Sequence, residues 1–125
     1  MSDILAVLQD VGQAIFDKKG ANILAIDVRG VASFTDYFMI AEGTVDRHVQ
    51  ALARQVVERG KKHGFEPLCV EGELPGEWIV VDFGEWVVHI MTPTIRHKYA
   101  LEEHWKKGKL VSLNLKGKVE ELHES

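Results

Sequence analysis

Residues 78–91 read WIVVDFGEWVVHIM, two strand-like runs joined by Gly84-Glu85. A two-residue loop that begins with glycine is typical of a type II′ hairpin turn, and such a turn fixes the pairing of the two strands. Because side chains alternate along a strand and paired residues share a face, one face of this hairpin is wholly apolar. We expect that face to lie on the core. Its residues are Ile79, Val81, Phe83, Trp86, Val88 and Ile90.

The opposite face of the hairpin is mixed in character and is the first candidate for a functional surface. Tryptophan is enriched among the residues that dominate binding energy at protein interfaces, so Trp78 is predicted to be an aromatic anchor for a partner. Asp82 and His89 are expected to supply charge and hydrogen bonds beside it. The full set on this face is Trp78, Val80, Asp82, Val87, His89 and Met91.

The rest of the chain predicts helices that flank the sheet. Apolar residues three and four positions apart predict two amphipathic helices, and Thr44 is expected to be the N-cap of the second one. Thr94 is expected to cap a third helix after Pro93. The class is therefore α/β, or mixed α+β, with a mixed sheet of about five strands and flanking helices. The helices are predicted at 4–17, from 45 to about 60, and from 95 to about 106; the other strands are predicted at 22–28, 37–41 and 67–70.

Length and composition predict one domain. The chain has 125 residues, of which 46% are hydrophobic and 27% charged, as in ordinary globular proteins. We expect the domain to cover residues 1–106, followed by a tail or short extra element over 107–125. The single cysteine, Cys69, cannot form an internal disulfide. No signal sequence or membrane-spanning run is recognisable, so a cytoplasmic protein without a membrane partner is expected.

The charge distribution indicates the kind of partner. The net charge is −4, and the chain contains no Lys or Arg between Lys62 and Arg96. An acidic stretch of this kind disfavours binding to phosphate groups and favours a basic protein. No sequence-specific nucleic-acid contact is predicted there. Its six acids are Glu66, Glu71, Glu73, Glu77, Asp82 and Glu85.

Motifs for catalysis and metal binding are missing from the sequence. It contains no P-loop, no G-x-G-x-x-G and no G-x-S-x-G. His97 and His104 would lie roughly 10 Å apart on one helix, too far to share a metal. Asp82 and His89 are predicted to approach diagonally across the hairpin, with Cys69 as the one candidate nucleophile, although nothing in the spacing links that thiol to them. We therefore predict no catalytic residues, no metal and no cofactor.

An ordered series of short motifs runs through most of the chain. The motifs are DVR at 27–29, Ser33, TDYF at 35–38, Gly43-Thr44, RHV at 47–49, Glu71-Gly72, WIVVDFG at 78–84, VVHI at 87–90, and Arg96, Tyr99, Leu101-Glu102 and Trp105. This series resembles the ribosomal silencing factor family, also called the Iojap family. The match covers roughly residues 5–106, and its value lies in the order of the pieces rather than in any one of them.

The resemblance implies a non-enzymatic regulator of translation. Members bind ribosomal protein fourteen of the large subunit, sterically block docking of the small subunit, and so repress translation when nutrients are limiting. Their fold is similar to that of nucleotidyltransferases without the catalytic carboxylates, and this chain likewise has no Asp-x-Asp pair. Members can form homodimers when free, and some relatives act in organelles. The resemblance also implies Asp at the position of Ala100.

The predicted partner-binding set combines the hairpin with residues of the matching motifs. Trp78, Asp82 and His89 form its centre, and Glu71 belongs to the neighbouring acidic loop. Tyr99 and Glu102 lie three positions apart on the last predicted helix, where both could reach a partner, whereas Leu101 and Trp105 are expected to pack on the sheet. Asp36 and Tyr37, at the start of the second strand, complete the set.

Two rival functions are left open by the sequence. The first is a nucleotide-handling enzyme of nucleotidyltransferase-like fold that uses Asp27, Thr44 and Asp82. It is disfavoured because two-metal chemistry requires a pair of carboxylates that this chain does not contain. The second rival is direct RNA binding, which predicts an affinity that falls steeply with salt. That rival uses Arg96, Lys98, Lys106, Lys107 and Lys109.

Overall fold

A six-stranded mixed sheet forms the middle layer of the fold. The computed structural model describes residues 3–116, and these residues confirm a mixed α+β class with one sheet and flanking helices. In chain order the elements are α1 (Ile4–Asp17), β1 (Ala21–Asp27), β2 (Tyr37–Glu42), α2 (Asp46–Lys62), β3 (Cys69–Glu71), β4 (Trp78–Asp82), β5 (Trp86–Met91), α3 (Pro93–Tyr99), α4 (Leu101–His104) and β6 (Lys109–Val111).

The strands are arranged in the order β3-β4-β5-β2-β1-β6. β2 and β5 are parallel, and every other neighbouring pair is antiparallel. The predicted hairpin register is confirmed, because Val81 pairs with Val88 and Ile79 pairs with Ile90. Gly84 has a φ of +90°, a conformation that glycine adopts without the steric cost of a Cβ. The local turn thus sets which face of the hairpin meets the core.

The main core lies between the sheet and the pair α1 and α2. Val7, Leu8, Val11 and Ile15 repeat at helical spacing along α1 and are all at most 1% exposed. The apolar face of the hairpin contributes all six of its residues to the same core, as predicted. Burial of such a stripe is the main source of helix stability in a folded protein.

A second, smaller core lies on the other face of the sheet. Its buried members include Phe38 and Ile40 of β2 and Val87 and Met91 of β5. The alternating residues Tyr37 and Met39 of β2 lie in the main core, so the two sets of side chains are buried on opposite faces of the sheet. β2 is a central strand whose first five residues are all buried. Central strands covered on both sides carry continuous apolar runs rather than an alternating pattern.

The last predicted helix is interrupted. Helix α3 begins at Pro93, with Thr92 rather than Thr94 as its N-cap residue, and ends at Tyr99. Ala100 has a φ of +44°, and the short helix α4 follows it. A left-handed residue ends a helix because it turns the chain out of the helical path. The prediction of one continuous helix from 95 to about 106 is therefore wrong.

The start of α2 also differs from the prediction. Val45 is the N-cap residue and makes no side-chain capping bond. Thr44 instead donates its backbone N–H to Nδ1 of His48 at 2.9 Å. The imidazole of His48 thus accepts from the backbone just before the helix, and Thr44 is not the N-cap residue.

Part of the predicted C-terminal tail belongs to the sheet. β6 pairs with β1 in antiparallel fashion, with Leu110 opposite Ile26. Past that strand, the backbone carbonyl groups of Asn114 and Lys116 accept hydrogen bonds from Gln9 and Gln13 of α1. The remainder of the predicted tail, 117–125, lies outside the described residues. Within residues 3–116, none of the helices combines the length and the apolar character needed to cross a membrane.

Candidate functional site

One half of the second sheet face is left partly open to solvent. The segment α3–α4 covers β1, β2 and part of β5 with the partly buried side chains of Ile95, Leu101 and Trp105. The packing of Leu101 and Trp105 on the sheet agrees with the prediction. Towards β3 and β4 this cover is incomplete, so side chains of the hairpin reach the surface. We call this region the hairpin face and define it by Glu71, Trp78, Val80, Asp82, His89 and Tyr99.

Trp78 forms the middle of an aromatic row on the hairpin face. Its indole Nε1–H donates to Nδ1 of His89 at 2.9 Å, across the β4–β5 pairing. Its ring centroid lies 4.9 Å from that of Tyr99. Aromatic pairs at such distances attract one another beyond the area that they bury. Trp78 is therefore held in one orientation while part of its ring remains exposed.

His89 is a neutral hydrogen-bond acceptor in this environment. Its ring packs on Phe38 with centroids 4.7 Å apart. Burial lowers the pKa of His89 to about 4, and the nearby charge of Asp82 opposes this effect only in part. A neutral imidazole is also what the Trp78 hydrogen bond requires, since a protonated Nδ1 cannot accept. At neutral pH the hairpin face thus carries no positive charge at His89.

Asp82 does not orient His89 as a catalytic carboxylate would. Its Oδ1 accepts the backbone N–H of Gly84 at 2.8 Å and so stabilises the hairpin turn. Asp82 was predicted to approach His89 diagonally. Its effect on His89 is electrostatic only, because its charge raises the pKa of the imidazole. The sequence showed that the two residues share a face, but it could not show which donor the carboxylate would select.

Tyr99 and Glu102 have different surroundings because the helix is broken between them. Tyr99 is the last residue of α3 and is 46% exposed, with the ammonium group of Lys98 at 5.5 Å from its ring. Glu102 accepts a hydrogen bond from Nε of Arg96 at 3.2 Å. Tyr99 therefore belongs to the hairpin face, whereas the carboxylate of Glu102 is engaged within the molecule.

Asp36 and Tyr37 are not brought to Trp78. Tyr37 is 5% exposed and lies in the main core, on the opposite side of the sheet. Asp36 is exposed, and its backbone N–H donates to the carbonyl of Glu85 at the turn end of the hairpin. Trp78 lies at the other end of β4. The structure thus leaves both residues outside the hairpin face.

Cys69 has a poor position for nucleophilic chemistry. It lies on the exposed edge strand β3 opposite Asp82, and His89 lies two strands away. Two strand spacings amount to about 10 Å, too far for direct proton transfer. Desolvation, and secondarily the charge of Glu71, raises the pKa of the Cys69 thiol. The reactive thiolate is disfavoured accordingly.

The residues of the nucleotide-handling hypothesis do not converge. Asp27 lies on β1 and Asp82 on β4, three strand spacings or about 14 Å apart. Asp27 pairs with Arg29 at 2.7 Å, and this hydrogen-bonded partner lowers the pKa of its carboxyl group. In the described part of the chain, no three His, Cys, Asp or Glu side chains cluster closely enough to hold a metal ion. Carboxylates that share two metals must lie much closer together.

Arg96 is a structural participant whose role the sequence did not reveal. Its side chain is only 11% exposed and pairs with Glu42 at 3.3 Å as well as with Glu102. Residues six apart on a continuous helix point about 120°, a third of a turn, away from each other, so helical spacing predicts no Arg96–Glu102 contact. Only the break at Ala100 brings the two side chains together.

Comparisons with known proteins agree on one family. A family model described as "Ribosomal silencing factor during starvation" matches residues 2–125 and so extends past the resemblance found over about 5–106. The chain is 40% identical over 101 residues to "Ribosomal silencing factor RsfS" of Haemophilus influenzae, covering 81% of this chain and 99% of that protein.

Two further relatives support this assignment. The mouse "Mitochondrial assembly of ribosomal large subunit protein 1" is 38% identical over 67% of this chain and 38% of its own length. A crystal structure of a Chromobacterium violaceum protein superposes with a TM-score of 0.80 at 32% identity, covering 92% of this chain and 95% of that one. Sequence and fold therefore lead to the same conclusion: the chain belongs to the ribosomal silencing factor family.

Proposed function

We propose that this protein binds the large ribosomal subunit through the hairpin face. Its partner there is ribosomal protein fourteen, and the bound factor blocks docking of the small subunit and represses translation when nutrients are limiting. The observation that carries the proposal is the aromatic row of His89, Trp78 and Tyr99 on a partly open sheet face. The name of the mouse relative, which refers to assembly of the large subunit, supports a partner of that kind.

The hairpin face has the composition of an interface centre with a polar rim. Trp78 offers apolar area and is already ordered by His89 and Tyr99, so little conformational entropy is lost when it binds. The exposed Glu71 and half-buried Asp82 lie beside it on the same sheet face. Carboxylates at the rim complement a basic ribosomal protein and disfavour the phosphates of RNA.

Steric exclusion explains how binding alone could repress translation. A folded domain of 125 residues is about 35 Å across, much thicker than the water-filled gaps within a packed interface. When such a domain occupies the joining surface, the small subunit cannot make its contacts. The mechanism requires no bond-making step and no cofactor. On the family resemblance, we further propose that the protein acts in the cytoplasm and forms a homodimer when it is free.

Binding of wild type and of Trp78→Ala to purified large subunits tests the proposal. We expect the variant to lose affinity by at least about thirtyfold, the usual effect of truncating an anchor worth roughly 2 kcal/mol. Leu5→Ala is the control, because Leu5 is an exposed apolar residue on α1, in the opposite layer. Circular dichroism checks that all three proteins are folded.

A subunit-joining assay provides the functional readout. Wild type and Leu5→Ala should lower the fraction of joined ribosomes in a sucrose gradient, and Trp78→Ala should not. Failure of wild type to bind large subunits would overturn the function. Equal binding by folded Trp78→Ala would overturn the hairpin face as the docking surface.

A further inference from the structure

The bend between α3 and α4 determines where Tyr99 lies. Tyr99 is the last residue of α3, and Ala100 turns the chain with a φ of +44° before α4 begins at Leu101. The N–H of Ala100 donates to the carbonyl of Arg96 at 2.8 Å, so the residue at the bend is hydrogen-bonded directly to Arg96. On one side of it Leu101 packs in the second core, and on the other Tyr99 packs on Trp78.

Arg96 links this bend to the sheet. Its Nε donates to Oε2 of Glu102 on α4 at 3.2 Å, and its Nη1 lies 3.3 Å from Oε2 of Glu42 on β2. Nη1 also donates to the backbone carbonyl of Asn22 on β1. The amide of Asn22 in turn donates to Oε1 of Glu42 at 3.0 Å. One guanidinium group therefore connects α3 with α4, β2 and β1.

Arg96 balances the negative charges of two carboxylates in this network. Glu42 and Glu102 both face the same guanidinium group, and their side chains are only 14% and 30% exposed. The second carboxylate oxygen of Glu102 is buried and has no hydrogen-bond partner within residues 3–116. Removal of the guanidinium would leave two poorly solvated carboxylates repelling each other, and α4 would have to move to reach water.

We propose that Arg96 is a positioning residue for docking: its guanidinium group fixes the α3–α4 bend to the sheet and so holds Tyr99 against Trp78. The docking half of this inference rests on the proposed function. Arg96 need not touch the partner, because its side chain is turned inward and buried in the network. A guanidinium group suits this role, since its planar set of donors serves several acceptors at once.

A double-mutant cycle on large-subunit binding tests the docking half. Arg96→Gln should weaken binding at least fivefold, and Tyr99→Ala should weaken it as well. Because Arg96 acts through Tyr99, the double variant should bind like Tyr99→Ala alone. The proposal would be overturned if the losses of affinity in the two single variants multiplied in the double variant. It would also be overturned if Arg96→Gln bound with wild-type affinity. Arg59→Gln is the matched control, since Arg59 pairs with Asp10 on the opposite side of the sheet.

A measurement on the free protein tests the structural half without the ribosome. With 5-fluorotryptophan incorporated, the three tryptophans give three fluorine resonances, and Trp78→Phe assigns one of them. Arg96→Gln should shift or broaden the Trp78 resonance, as Tyr99→Ala also should. Trp86, fully buried in the main core, should keep its resonance and so reports that the fold is intact.

The two experiments separate the possible failures. If wild type does not bind large subunits, the proposed function fails, and the fluorine spectrum still decides whether Arg96 positions Tyr99 on Trp78. An unchanged Trp78 resonance in Arg96→Gln would overturn the positioning role even if binding is lost. Arg96→Lys should give an intermediate affinity and resonance position, because an ammonium group keeps the charge but cannot match the fork of donors.

Discussion

The imidazole of His89 shows how one partly buried side chain shapes the hairpin face, the proposed docking surface. It packs on Phe38 and accepts a hydrogen bond from the indole N–H of Trp78, so it fixes the position of Trp78 within the aromatic row. A positive charge at this place would cost desolvation energy, would break the hydrogen bond from Trp78 and would repel the basic partner that we propose. The residue is therefore suited to a neutral, supporting role rather than to acid–base chemistry near neutral pH.

The low pKa of His89 predicts a loss of stability in mild acid. Its native pKa is about 4, against 6.5 for the free side chain. Between these values the unfolded chain binds a proton that the native state does not bind, so the free energy of unfolding falls as the pH decreases from about 6.5 towards 4. Relative to its value above pH 7, the free energy of unfolding should be lower by about 2 to 3 kcal/mol at pH 4.5.

Urea unfolding at several pH values measures this effect. The difference in stability between wild type and His89→Gln should shrink as the pH is lowered, because glutamine has no proton to gain. His104→Gln, at an exposed position on α4, should follow the wild-type curve. Parallel curves for wild type and His89→Gln would show that His89 does not carry the pH dependence.

At the scale of elements, local signals account for what the sequence predicted. The β4–β5 hairpin was predictable because a two-residue glycine turn and alternating side chains fix both pairing and face. The interruption at Ala100 was not predictable in the same way. Alanine is the strongest helix former, and only tertiary packing of Leu101 and Trp105 on the sheet overrides that preference. The burial of β2 on both faces also depends on distant elements, namely α1, α2 and α3–α4.

The strained backbone at Ala100 predicts a stabilising substitution. A left-handed conformation costs an L-residue about 1–2 kcal/mol, and glycine avoids this cost but gives back part of the gain through its greater freedom in the unfolded chain. Ala100→Gly should therefore raise the free energy of unfolding by about 0.5–1 kcal/mol. The Asp that the family resemblance implies here also tolerates this conformation better than Ala does.

The matched control is the same change inside a regular helix. Ala51 lies in α2, where substitution by glycine should lower stability by about 1 kcal/mol. Chemical denaturation of the two variants and wild type gives the comparison. A loss of stability in Ala100→Gly similar to that in Ala51→Gly would contradict the assignment of strain at the bend.

The whole molecule has a separation of charge that follows the strand order. The acidic stretch supplies β3, β4 and their loops at one edge of the sheet, whereas β6 and the preceding Lys106 and Lys107 lie at the other edge. The sequence predicted the acidic stretch and the shared face of Trp78, Asp82 and His89. It could not place Tyr37 in the main core or enclose Glu102 in a network, because both outcomes depend on packing between elements far apart in the chain.

This charge separation predicts that the docking rate depends on salt through the acidic edge. Glu71→Gln removes one exposed rim charge and should slow association with large subunits about two- to fivefold at low ionic strength, with a smaller effect on dissociation. The difference from wild type should shrink as added monovalent salt, at constant Mg²⁺, shortens the Debye length.

Glu58→Gln on α2, in the opposite layer, should bind like wild type. Stopped-flow association experiments measure these rates. If Lys109→Gln at the basic edge changed the salt dependence while Glu71→Gln did not, docking would occur through contacts with phosphate groups, and the orientation proposed for the hairpin face would be wrong.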